Sequence, residues 1–120
     1  MLGFFNKRKR YNGEVDTKLN TEYQIKTRDN PLFPGALKYL SIIDNAWNAK
    51  MNSSEGALYI ATLYYCGIVK HGHTKEGAAL LERINHIVGF NLKNGIVTES
   101  LWYRFANEID QATEEVESKL

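Results

Sequence analysis

Gly56-Ala57-Leu58-Tyr59-Ile60-Ala61-Thr62-Leu63-Tyr64-Tyr65-Cys66-Gly67-Ile68-Val69 is the longest stretch of the chain without an Asp, Glu, Lys or Arg. Within it Ala57, Leu58, Ala61, Tyr64, Tyr65 and Ile68 recur in steps of one and three, the spacing of one helical face. Its fourteen residues fall short of the roughly 20 that a membrane-crossing helix needs. The stretch therefore predicts a core helix. Ser53 or Ser54 is placed to cap its start, and His71-Gly72-His73 makes the turn that follows it.

The same punctuation extends in both directions. Upstream, Asn30-Pro31 and Pro34-Gly35 mark a turn, and Pro34 suits the first turn of a helix because its missing N–H has no partner there. Ala36, Leu40, Ile43 and Trp47 then predict an inward stripe on a helix ending near Met51-Asn52. Downstream, Thr74 caps a third helix with Leu81, Ile84 and Val88 inward and Gly89 as its stop. Asn94-Gly95 is a turn between helices, and Thr98 caps a last helix in which Trp102, Phe105, Ile109, Ala112 and Val116 form a packing seam. The expected fold is all-α, a compact bundle of about four helices arranged as two helical hairpins over residues 31–120.

Residues 1–30 read differently, as a flexible or irregular basic segment, with disorder expected up to about residue 12. Val15, Leu19 and Tyr23 have the spacing of a short helix, whereas Tyr23-Gln24-Ile25-Lys26-Thr27 equally suits a brief strand. Four of the 15 basic residues stand at Lys7, Arg8, Lys9 and Arg10, which leaves 11 basic against 14 acidic residues elsewhere, a net of −3. The acids Glu108, Asp110, Glu114, Glu115 and Glu117 face only Lys119 near the C-terminal end.

A chain of 120 residues with 43% hydrophobic and 24% charged residues can bury a core without disulfides or metal. The one cysteine, Cys66, excludes an internal disulfide, and its apolar neighbours predict a buried structural thiol in a reducing compartment. Secretory signals place positive charge ahead of the apolar segment. Here Met1-Leu2-Gly3-Phe4-Phe5 comes before Lys7-Arg8-Lys9-Arg10, so the expected location is cytoplasmic, with the inner membrane face as a peripheral alternative.

The run Ala57-x3-Ala61-x3-Tyr65-x-Gly67 followed by Glu76-Gly77-Ala78-Ala79-Leu80-Leu81 resembles one helix-turn-helix unit of the Sel1 and tetratricopeptide repeats. The resemblance implies two antiparallel helices brought close by small residues. It covers about a quarter of the chain, and arrays of that kind need about three repeats for stability. No second copy follows, so the likeness is one of helix-hairpin grammar.

No glycine-rich phosphate loop, G-x-S-x-G or H-E-x-x-H pattern occurs in the sequence. Asp44, Glu55, Glu82, His86 and Glu99 ionise but fall on expected helix starts or solvated faces. His71, His73 and His86 lack the spacing of a zinc site, and no cofactor is expected. A duplex reader needs a basic recognition helix, which Arg104 among five acids does not provide. The leading expectation is a small non-catalytic adaptor or regulatory domain. It would bind another protein or itself through Tyr59, Trp102, Glu108, Asp110 and Glu114. The alternatives are an anionic membrane or nucleic acid contacted through Phe4, Phe5, Lys7, Arg8, Lys9 and Arg10, and an enzyme with a divergent site. A solvated tail is the simplest reading of residues 1–10.

Overall fold

The computed structural model describes residues 2–119, and at residues 2–5 the backbone alone. Five helices follow one another: α1 (Leu2–Thr21), α2 (Ala36–Asn48), α3 (Ser53–Lys70), α4 (Thr74–Lys93) and α5 (Glu99–Glu117). The described residues contain no strand, so the fold is all-helical. None of these helices is long and apolar enough to cross a membrane. Two compact units divide the chain, Met1–Ile60 and Ala61–Leu120, and the division lies inside α3.

In the first unit Leu2–Thr21 of the segment expected to be flexible or irregular is helical, in line with the helical spacing of Val15 and Leu19, while residues 22–30 are irregular as expected. Tyr11, Val15 and Leu19, each four residues after the last, are buried along α1, and Tyr23 and Ile25 continue that burial beyond its end. One apolar residue per turn gives an isolated helix little stability, but packing of that one stripe is enough to hold it. Gln24 takes a left-handed conformation (φ 56°), and the Ile25 N–H reaches back to the Leu19 carbonyl at 2.8 Å. Tyr23–Thr27 is therefore a bend and not a strand. The Asn20 side chain ties this bend to α1, donating to the Asp16 carbonyl at 2.8 Å and to Thr27 Oγ1 at 3.1 Å.

The stripe expected on α2 is rotated. Ile43 and Ala46 are buried, Tyr39 and Trp47 half-buried, while Ala36 and Leu40 face solvent. Polar and ring contacts choose this rotation. The Tyr39 hydroxyl donates to Asp16 Oδ1 at 2.9 Å, and its ring meets Phe33 edge-on with centroids 4.9 Å apart. α2 stops at Asn48, ahead of the expected Met51-Asn52. The Lys50 N–H donates to the Trp47 carbonyl and the Met51 N–H to the Ala46 carbonyl, a Schellman closure with Lys50 at φ 61°. Asn52, and neither expected serine, caps α3. The Glu55 N–H donates to Asn52 Oδ1 at 2.8 Å, and the Asn52 N–H to Glu55 Oε1 at 3.1 Å, a reciprocal capping box.

In the second unit the expected faces of α3 and α5 are the buried ones, with Tyr65 and Ile68 on α3 and Phe105, Ile109 and Ala112 on α5. On α4 the line is Leu80, Ile84 and Val88, with Leu81 half-buried beside it. α4 runs through Gly89 to Lys93. Its closure comes at Gly95 (φ 69°), whose N–H donates to the Leu92 carbonyl while the Ile96 N–H donates to the Asn91 carbonyl. Tyr65 Oη and Thr113 Oγ1, 2.9 Å apart, join α3 to α5.

Candidate functional site

Within the first unit, the first half of α1 meets the end of α2 and the start of α3. The Arg8 guanidinium pairs with the Asp44 carboxylate and lies 5.2 Å from the centroid of the Trp47 ring. Trp47 in turn meets Tyr11 edge-on, centroids 5.1 Å apart at 68°. The arrangement stacks a cation on a quadrupole face that a second ring supports from its edge. Tyr11 is buried, and its hydroxyl has no hydrogen-bond partner among the described residues. Burial first, and the nearby Glu55 charge second, push that hydroxyl up to about 12 against an opposing pull from Arg8.

A shallow cavity of about 560 Å³ opens beside this corner, lined by Trp47, Asn48, Lys50, Met51, Asn52 and Glu55. Its ionisable groups are Lys50 and Glu55. The Glu55 carboxylate already accepts the Asn52 N–H in the capping box, so its primary role in the structure is to begin α3.

The residues expected at a lipid or phosphate contact divide three ways. The side chains of Phe4 and Phe5 lie outside the described residues. Lys7, Lys9 and Arg10 are exposed. Arg8 is not part of the exposed set, because it is turned onto Asp44 and Trp47. Sequence periodicity could not find that contact, since it follows apolar residues and the contact joins a charge to a ring.

Of the residues expected at a partner surface, Tyr59 belongs to the first unit and is half-buried. In the second unit Trp102 and Glu108 are half-buried, while Asp110 and Glu114 are exposed. Tyr103, one residue past the seam position Trp102, is 67% exposed and was absent from the expected surface. Tyr103, Asn107, Asp110 and Glu114 are all exposed and follow one another in steps of four, three and four, so they share one outward face of α5. The signal was present in the sequence as an aromatic standing one position off the buried seam.

Cys66 is half-buried, less than its apolar surroundings predict. Its thiol donates to the Glu108 carbonyl at 3.7 Å, and burial pushes its pKa up. Among the described residues no three His, Cys, Asp or Glu side chains gather where a metal ion could be held. No family model, curated protein or solved structure matches the chain.

Proposed function

We propose that the protein is a non-catalytic helical binding domain that engages another protein through the outward face of α5. The observation that carries this reading is Tyr103, a large aromatic with two thirds of its surface in solvent, on the same face as Asp110 and Glu114. An exposed tyrosine combines apolar area with a hydroxyl and orders at small entropic cost, the properties that make it frequent at interface hot spots. The carboxylates two and three turns farther along select for a basic partner segment by charge complementarity. Short connections at 71–73 and 94–98 support reading α3, α4 and α5 as successive helical hairpins, in which α5 offers one face inward and the other to the partner.

The test is affinity capture with the full chain and with Tyr103→Ala/Asp110→Ala/Glu114→Ala, followed by calorimetry on whatever is captured. A hot-spot tyrosine predicts a loss of about 2 kcal/mol or more in the variant. Equal binding by both chains would rule out this face.

A further inference from the structure

α1 carries four consecutive cations, Lys7, Arg8, Lys9 and Arg10, in its second and third turns. The first turn of α1 contains no acid, and the first acid along the chain is Glu14. Of the four consecutive cations, Arg8 is held by Asp44 and Trp47. At 3.6 residues per turn, Lys9, Arg10 and Lys7 then span an arc of about 160° on the side away from Arg8, and all three are exposed. The Arg8 contact thus fixes the rotation of α1 and sets the other three cations outward.

We propose that this cationic arc docks the protein on an anionic lipid surface. An anionic surface attracts the three outward cations, and no acid before Glu14 opposes them. Lipid fits better than a nucleic-acid backbone for two reasons. The residues just before the arc are Leu2-Gly3-Phe4-Phe5, an apolar sequence that suits an interface of headgroups and acyl chains and has no counterpart in a phosphate track. The arc also ends at Glu14, and the rest of the chain carries a net charge of −3, which leaves no extended basic stripe to follow a duplex. Docking of this kind is weak, reversible and salt-sensitive.

The experiment is co-sedimentation of the full chain with two kinds of vesicle, pure phosphatidylcholine and phosphatidylcholine mixed with phosphatidylserine. Binding is expected on the phosphatidylserine vesicles at low salt, with little on pure phosphatidylcholine, and is expected to fall as salt rises. Lys7→Glu/Lys9→Glu/Arg10→Glu is expected to lose at least about a hundredfold in affinity, each cation contributing roughly a factor of five. Its circular dichroism should match the parent, because none of the three side chains is buried. The swap Lys7→Arg/Lys9→Arg/Arg10→Lys should keep binding. Three results would overturn the proposal: no binding at low salt, equal binding to both vesicles, or undiminished binding by the charge-reversed chain. Tighter binding to a DNA or RNA duplex than to the vesicles would also overturn it. Tyr103→Ala should leave vesicle binding unchanged, so this surface and that of α5 succeed or fail separately.

Discussion

Gly56 and Tyr11 show how a single atom can decide which residue a position accepts. A Cβ at Gly56 would collide with Tyr11 Oη and press on Val15 Cγ2 at 3.3 Å. Gly56→Ala is therefore expected to destabilise the protein by about 1–3 kcal/mol in urea unfolding, the usual range for overpacking, although alanine is the better helix former. The colliding atom is the hydroxyl that lacks a hydrogen-bond partner. Tyr11→Phe should consequently be neutral or stabilising by up to about 1 kcal/mol. Combined with Gly56→Ala it should restore much of the loss, a coupling that a double-mutant cycle measures directly. If the two changes simply add, the hydroxyl is not what excludes a side chain there.

At the scale of the element, three helices end in the same closure, α2 at Lys50, α3 at Gly72 and α4 at Gly95, all with positive φ. Two of them use glycine, to which that conformation costs nothing, and α2 uses lysine. Lys50→Gly is expected to stabilise the protein by about 1 kcal/mol, and Gly95→Ala to destabilise it by a similar amount, both read from denaturant midpoints. The glycine turns are also the ones legible in the sequence, and the helices around them were placed from their stripes and punctuation. The end of α2 falls short of the expected position because lysine gives no such signal, and α4 passes the expected stop at Gly89 because a solvent-facing glycine is tolerated inside a helix. α1 is legible only in part. Val15 and Leu19 show the helical spacing of its last turns, but one apolar residue per turn does not show how far the helix extends, and the contact that sets its rotation is Arg8 on a carboxylate and a ring. On α5 the buried seam marks its own opposite face, so the exposed surface could have been found by subtraction.

Across the molecule, the tyrosine hydroxyls raised by burial all lie in the first unit. Burial raises Tyr11, Tyr23 and Tyr39, with the Asp16 hydrogen bond adding to the last. A raised folded pKa means that the neutral hydroxyl is preferred in the native state. That stability is complete below the unfolded value of 10.0 and is lost as pH climbs toward about 12 and above. The second unit holds one such group, the half-buried Cys66 thiol. The single thiol starts to lose its contribution above 9.0, but three raised hydroxyls lose theirs above 10.0, so alkaline unfolding above that pH is expected to be led by Met1–Ile60. Each unit contains one tryptophan, Trp47 and Trp102. Emission from Trp102→Phe should therefore shift at a lower pH than emission from Trp47→Phe, and a reversed order would contradict the assignment.

The closure of α4 also bears on chemical ageing. In a flexible Asn-Gly pair the glycine nitrogen attacks the asparagine side-chain carbonyl, expels ammonia and leaves a succinimide that hydrolyses to aspartate or isoaspartate. Here the Asn94 side chain is held by its donation to the Phe90 carbonyl at 2.9 Å, while the Gly95 nitrogen donates to the Leu92 carbonyl at 3.1 Å. Nucleophile and electrophile are both fixed in the folded turn. Isoaspartate at position 94 should accumulate in urea and stay near zero in native buffer, so its level in a stored sample records how long those molecules have spent unfolded.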